Sequence, residues 1–155
     1  MTSYLRKRRS CFNQFQSTVS LIFDEIYVYQ TIEYSQGRFT GLCDSNGAIA
    51  TTVLCFVIKS LSGKYSDVIA LNALNRLTVE ILTHCFISAL KVAMDAGFLV
   101  AVTVCDNHKV NRQGFRFVLL GHLQSDQLEH RFGSYRQMSG SDYFISVKQV
   151  LESEK

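Results

Sequence analysis

Three acidic residues lie in sequence settings that indicate metal chemistry. Asp24 lies inside an apolar, strand-like segment, Asp106 directly follows a second apolar run, and Glu129 lies in a segment with helical spacing. A carboxylate in or beside an apolar strand is costly unless a cation compensates its charge, and divalent cations such as Mg²⁺ prefer oxygen ligands. Each residue alone has an ordinary explanation as a strand-edge acid, a turn or cap residue, or a solvated helix residue. Together they predict a divalent-metal site for phosphoryl transfer.

A local excess of basic residues accompanies these acids. Residues 107–138 contain five basic side chains and two acidic ones, whereas the whole chain carries a net charge of +3. Because phosphate backbones attract lysine and arginine, this excess favours a polyanionic partner such as DNA. The candidate nucleic-acid contacts are Lys109, Arg112, Arg131 and Arg136.

The length and composition favour one globular unit after a basic start. The chain has 155 residues, of which 47% are apolar, and it contains no proline. A chain of this size can bury one substantial core and is short for two. We expect a basic N-terminal segment over residues 1–18, with consecutive basic residues at 6–9, and a single domain over 19–155. The basic run has three interpretations: a nuclear-localisation signal, a phosphate-contacting arm or a solvated chain end.

The cysteines and the hydropathy pattern argue against several classes of protein. The five cysteines form no Cys-x-x-Cys pair and their number is odd, so neither a zinc knuckle nor a disulfide framework is indicated. The start of the chain is too polar for a signal peptide, and no apolar run approaches the roughly 18 residues that a membrane span needs. We therefore expect an intracellular protein without a membrane partner.

The elements that must position the three acids follow from the apolar periodicity. Strands are predicted over 19–34, 38–43 and 49–61, then a helix over 78–96, a strand covered on both faces over 98–105, and helices over 124–138 and 143–152. The first three strands predict an antiparallel meander, and the strand–helix–strand order predicts a parallel fourth strand after a right-handed crossover. The expected fold is a mixed α/β sheet of the ribonuclease H-like kind with C-terminal helices.

This topology would bring two of the acids together. In such a sheet the fourth strand lies beside the first, and ligands gather near the carboxyl ends of parallel strands where the strand order switches. Asp24 and Asp106 would then be neighbours. Alternation along the first strand puts Asp24 and Glu25 on opposite faces, so on this pattern alone either acid could face the site.

Four segments of the chain resemble the ribonuclease H-like catalytic domain of P-element transposases, including their THAP-type relatives. The segments are 21–34, 37–42, 106–112 and 124–140, and the resemblance covers most of residues 19–153. By this match the family's two aspartates fall on Asp24, not Glu25, and on Asp106, and its glutamate falls on Glu129. The resemblance implies a DDE-type core in which these three carboxylates hold two Mg²⁺ ions and cleave and transfer DNA strands in the nucleus.

The chain departs from this family in ways that affect both cofactor and fold. Family members carry an amino-terminal zinc-binding DNA-recognition domain and a large GTP-binding helical insertion between the second aspartate and the glutamate. Asp106 and Glu129 are only 23 positions apart, so we expect no GTP cofactor. Residues 106–114 are fewer than the dozen or so that a parallel crossover needs. We therefore expect residues 115–120 to be irregular, antiparallel or lost from the sheet, with an edge open to self-association.

Two functional hypotheses follow from the sequence. The first is a transposase-derived DDE-type ribonuclease H-like core whose ancestral activity is Mg²⁺-dependent cleavage and transfer of DNA strands. The second is a non-catalytic DNA-binding or protein-interaction remnant of a transposable element that keeps the old core as a scaffold. Four aromatic residues could stack on bases, although strand aromatics of this density more often serve core and cross-strand packing: Tyr27, Tyr29, Tyr34 and Phe39.

Overall fold

The fold was obtained as a computed structural model that describes residues 2–35, 37–43, 46–63, 65–106, 109–114, 126–140 and 144–154. The elements in these ranges are, in chain order, α1 (Thr2–Arg9), β1 (Thr18–Tyr27), β2 (Glu33–Ser35), β3 (Arg38–Thr40), β4 (Thr52–Ser60), β5 (Ser66–Leu74), α2 (Val79–Asp95), β6 (Leu99–Val104), α3 (Lys109–Gly114), α4 (Asp126–Met138) and α5 (Val147–Ser153). No helix in these ranges is long and apolar enough to cross a membrane.

The main sheet has four strands in the order β5-β4-β1-β6. β1, β4 and β5 pair antiparallel, and β6 pairs parallel with β1 after the crossover helix α2. This arrangement confirms the predicted mixed α/β sheet of the ribonuclease H-like kind. The parallel fourth strand lies beside the first, as the predicted topology requires.

The structure corrects which segments form the meander. The predicted second strand, 38–43, contributes β3, which pairs with β2 in a separate two-stranded sheet. The third strand of the meander is β5, which the sequence pattern did not predict. Its residues, Ser66 to Leu74, mix buried and half-buried positions without clean alternation because β5 lies at the edge of the described sheet. The predicted strand over 49–61 is confirmed as β4.

The crossover helix α2 has the predicted boundaries. The Thr78 hydroxyl accepts a hydrogen bond from the Ile81 amide at 3.3 Å and caps the helix, and Gly97 follows it with φ +92°. The strand predicted after it is β6, but the prediction that both its faces are covered is wrong. Leu99 is 60% exposed, because β6 is the outer strand of the described sheet.

Two apolar cores lie on the two faces of the sheet. Leu21 and Phe23 of β1 belong to the core that α2 covers, whereas Ile22 and Ile26 belong to the core that includes residues of α4 and α5. This division follows from the alternation of side chains along a strand. Each face of β1 therefore contacts a different set of helices.

The basic N-terminal segment is docked against the end of α2. Leu5 of α1 is fully buried in the same core as α2. The Arg6 Nε donates to the Asp95 carbonyl at 3.0 Å, and the Arg9 Nε donates to the Gly97 carbonyl at 2.8 Å. Two of the four basic side chains at 6–9 thus satisfy carbonyl groups at the C-terminal end of a helix, which favours positive charge.

The chain after β6 contains most of the residues that the structure does not describe. The short helix α3 is the next described element after β6, and the doubtful fifth strand at 115–120 lies outside the described residues. The helix predicted over 124–138 is confirmed as α4, described from Asp126. The last predicted helix begins at Val147 instead of residue 143, because Ser146 caps it and Ile145 forms a parallel bridge with Val28.

Candidate active site

Asp24 lies on the face of β1 that packs towards α4. It pairs with Cys55 of β4 and stands between Ile22 and Ile26, three residues of the same apolar core. Glu25 pairs with Leu54 and points to the face that α2 covers. The alternation of the strand left this choice open, and the structure puts Asp24 on the same side as the helix that carries Glu129.

Asp106 follows the strand that runs parallel to β1. Ile22 pairs with Val104, so Asp24 and Asp106 each lie two residues beyond a paired position at the same end of the sheet. Val104 packs in the same core as Ile22, which places this end of β6 on the Asp24 side. The Asp106 Oδ1 accepts a hydrogen bond of 2.6 Å from the Asn111 amide nitrogen in α3. The buried Asn111 side chain therefore helps to orient the Asp106 carboxylate.

Glu129 is presented from the helix that covers this face. Leu128, Phe132 and Tyr135 of α4 are buried in the core, and Glu129 is exposed one residue away from this stripe. Its position beside the apolar stripe agrees with the predicted helix. The site thus takes one carboxylate from a central strand, one from the end of the adjacent strand and one from a covering helix.

The electrostatics indicate that the three carboxylates share one environment. Burial, together with the negative charges of Asp106, Glu25 and Glu129, raises the pKa of Asp24 to about 6. A hydrogen bond of 2.8 Å from the Glu25 amide to the Asp24 Oδ1 opposes this rise. Mutual repulsion of this kind is what a bound cation relieves.

The three carboxylates do not already form a closed set of metal ligands. Among the described residues, no group of three or more His, Cys, Asp or Glu side chains is arranged to hold a metal ion. The charges of Asp106 and Glu129 nevertheless act on Asp24, so the three acids lie within electrostatic range of one another. The donor set consists only of oxygen, which fits a hard cation such as Mg²⁺.

The four basic residues predicted to contact nucleic acid have different surroundings. Lys109 is exposed at the start of α3, and Arg136 is half-buried on α4. The Arg131 Nη1 lies 3.0 Å from both carboxylate oxygens of Glu154, so a phosphate would have to compete with this ion pair. The side chain of Arg112 lies outside the part that the structure describes.

Sequence reasoning missed two groups beside these acids. Asn111 was not predicted as a site residue, although its spacing of five from Asp106 was a usable signal for a contact across a tight connection. Glu154 gave no signal, because its partner Arg131 lies 23 positions away on another helix. Such a pair becomes visible only when the helices are packed.

A family model matches residues 1–118 of the chain, described as TNP-like, RNase H N-terminal domain. The chain belongs to this family. The matched region contains Asp24 and Asp106, and it includes the basic N-terminal segment; Glu129 lies beyond it. The comparison with curated proteins gave no match.

A solved structure titled "Drosophila P element transposase strand transfer complex" resembles the TNP-like RNase H chain. The TM-score is 0.53 at 16% sequence identity, over 70% of this chain and 23% of the other. The chain thus spans about a quarter of the length of that transposase chain, and at this identity the similarity concerns the fold. With the family match, it confirms the predicted resemblance to the ribonuclease H-like domain of P-element-type transposases.

Proposed function

We propose that this domain is a DDE-type nuclease core that cleaves and transfers DNA strands with Mg²⁺. The observation that carries the proposal is the position of Asp24: a half-buried carboxylate beside an apolar core, whose pKa is raised by burial and by Asp106 and Glu129. Acids whose pKa is shifted by burial and by neighbouring charges cluster at functional sites. Two ions bound by these acids would supply nucleophile activation and stabilise the leaving oxygen at a scissile phosphate.

The three acids would have different tasks in binding. Asp24 would be the most rigid ligand, because it lies in a strand paired on both sides. Asp106 would be held in position by the side-chain amide of Asn111, which donates to its carboxylate at 2.6 Å. Glu129, which is exposed, would complete the site from α4. Lys109 and Arg136 would attract the phosphate backbone of the DNA. Cleavage of chromosomal DNA would require the protein to be in the nucleus.

The test is a nicking and strand-transfer assay with Mg²⁺ or Mn²⁺. Asp24→Asn and Glu129→Gln should each abolish metal-dependent cleavage, because each loses a charged oxygen ligand. Asp95→Asn, which changes an exposed acid at the end of α2, should cleave like the unaltered protein. Equal cleavage by all four proteins would rule out the assignment of Asp24 and Glu129.

A second candidate function is a non-catalytic DNA-binding or protein-interaction role. The observation that favours it is the exposure of the aromatic residues near β1, with Tyr34 66% and Phe39 68% exposed on the β2–β3 sheet. The two rings pack against each other across β2 and β3, with centroids 5.0 Å apart, so the expected cross-strand packing is confirmed while neither ring is buried in a core. DNA binding that weakens steeply with salt but persists in a chelator would favour this role.

Self-association through the outer edge of β6 also belongs to this proposal. In the described part of the chain β6 pairs only with β1, and Leu99 on it is 60% exposed. An open strand edge offers unpaired backbone groups to a second copy. Light scattering over a range of protein concentrations would detect the dimer, and a constant monomer mass would exclude it.

A further inference from the structure

One carboxylate near the C-terminal end of the described chain connects α5 to α4. The Glu154 carboxylate accepts two hydrogen bonds of 3.0 Å from the Arg131 Nη1, one at each oxygen, and a short one from the Tyr135 hydroxyl. Arg131 and Tyr135 lie four residues apart on α4, so both face the same side of that helix. The three side chains form what we call the Glu154 clamp.

The Glu154 clamp lies largely inside the protein. The Arg131 side chain is 27% exposed, the Glu154 side chain 19%, and Tyr135 as a residue only 1%. Burial, followed by the hydrogen bond to Glu154, raises the pKa of Tyr135, so its hydroxyl remains a donor. A buried charge pair with several hydrogen bonds is costly to break from one side, because the remaining charge is left unpaired.

Arg131 of the clamp and Glu129 lie on opposite flanks of the buried stripe of α4, to which Tyr135 itself belongs. At about 100° per residue, Glu129 lies on one side of Leu128 and Arg131 on the other. Leu128 and Phe132 pack into the core and hold α4 against the sheet. Because apolar packing is not directional, it restrains the rotation of α4 about its own axis only weakly. The hydrogen bonds to Glu154 are directional and restrain the rotation. A rotation of α4 would move Glu129 relative to Asp24.

We propose that Glu154 is a positioning residue that fixes the rotation of α4 and thereby keeps Glu129 beside Asp24. The role of Glu129 in this statement rests on the proposed function. The inference gives Arg131 a structural role within the protein in place of the predicted phosphate contact. It also gives α5 a structural role, because Glu154 directly follows α5 and pairs with Arg131 on the covering helix α4.

Binding of Mn²⁺, measured by electron paramagnetic resonance under conditions where all variants are folded, tests the inference. Glu154→Gln should weaken Mn²⁺ binding about 10-fold or more, in the range found when a group that orients a metal ligand is removed. Tyr135→Phe removes only the hydroxyl, keeps the packing of the ring and should weaken Mn²⁺ binding less. It takes the place of Glu154→Gln if that variant does not fold. Glu152→Gln changes an exposed acid on the same helix and should leave binding unchanged. Unchanged Mn²⁺ binding in folded Glu154→Gln overturns the inference.

Hydrogen exchange in a chelator separates this inference from the proposed function. Glu154→Gln should speed exchange in α4 while β1 stays protected, because α4 loses its directional restraint. If the unaltered protein bound no Mn²⁺ through Asp24, the proposed function would fail, and exchange in α4 alone would decide whether the clamp restrains the helix. Unchanged exchange would overturn the clamp.

DNA binding gives a third readout that distinguishes the two roles of Arg131. If Arg131 were chiefly a phosphate contact, Glu154→Gln would release it, tighten DNA binding and increase the salt dependence by about one contact. The positioning role predicts no tighter DNA binding by Glu154→Gln. The same change that frees Arg131 also frees the helix α4 that carries it, so Arg131 has no fixed position towards the DNA. Tighter DNA binding together with unchanged Mn²⁺ binding would contradict the positioning role.

Discussion

The two faces of the four-stranded sheet are packed with different chemistry, and adjacent residues of β1 show the contrast. Phe23 is fully buried against Phe56, with ring centroids 5.3 Å apart, on the face that α2 covers. Asp24, the next residue, holds a half-buried carboxylate beside the core on the face that α4 covers. Around Phe23 the α2 face is packed with apolar side chains, whereas the α4 face gives up some stability to hold the charge of Asp24.

The helices on the two faces are fixed in correspondingly different ways. α2 has a side-chain cap at its start, four buried residues at helical spacing and a docked N-terminal segment at its end. α4 has a shorter apolar stripe and is held by the ionic contacts to Glu154. Apolar packing tolerates small rotations, while hydrogen-bonded charges select one arrangement. The face that carries the candidate site thus has the more specific but less stable packing.

The largest expected effect tests the α2 face. Phe23→Ala should lower the free energy of unfolding by about 3 to 5 kcal/mol, because it leaves a cavity among Phe56 and Phe86. Urea unfolding measures the change. Phe15→Ala removes a ring that is 78% exposed and should change stability by no more than about 0.5 kcal/mol. Similar losses in the two variants would break the contrast between the faces.

A smaller effect of opposite sign is expected on the α4 face. The pKa of Asp24 is raised from 3.8 to about 6, so the folded state holds this proton more tightly than the unfolded state. Ionisation of Asp24 therefore lowers stability as the pH rises from about 4 to about 6, and the loss is complete above that window. Asp24→Asn should raise the free energy of unfolding in a chelator at neutral pH by about 1 to 2 kcal/mol, after allowance for solvent screening.

The pH and the metal provide the controls for this variant. Below about pH 4 the unaltered protein and Asp24→Asn should be equally stable, because Asp24 is protonated in both states. Mg²⁺ should stabilise the unaltered protein more than Asp24→Asn, since only the former keeps the carboxylate ligand. A variant that is less stable than the unaltered protein at neutral pH without metal would show that Asp24 is a structural residue like its neighbours.

The same contrast explains how much of the molecule the sequence predicted. α2 was predicted with its ends because its apolar period, the Thr78 cap and Gly97 act within a few residues of one another. β5 was missed because an edge strand is only half-buried and its pattern is weak. The side of β1 that Asp24 faces depends on which helix covers which face, and this is set by packing between distant segments. The resemblance to a family supplied that choice before the structure did.

The Glu154 clamp could not be predicted for a related reason. Arg131 and Glu154 are ordinary charges on amphipathic helices, and many such residues are simply solvated. Their pairing depends on the angle between α4 and α5, which no local pattern of residues determines. The three acids were found because carboxylates in apolar segments are unusual, whereas the residues that hold them in place have ordinary sequence settings.

The smallest expected effect concerns the N-terminal segment, which packs on the end of α2 and so belongs to the same side of the molecule. Arg9→Ala should lower the free energy of unfolding by about 1 kcal/mol, because its guanidinium donates to the carbonyls of Gly97 at 2.8 Å and Phe12 at 3.0 Å. Lys7→Ala removes the same charge from an exposed position on the same helix and should change urea unfolding by no more than about 0.5 kcal/mol. If both variants lost the same stability, the basic segment would act through its net charge, and its docking on the end of α2 would contribute nothing to that face. A loss confined to Arg9→Ala would instead show that α1 is part of the stable side of the molecule, so that the segment is held in place by hydrogen bonds whether or not it also contacts DNA.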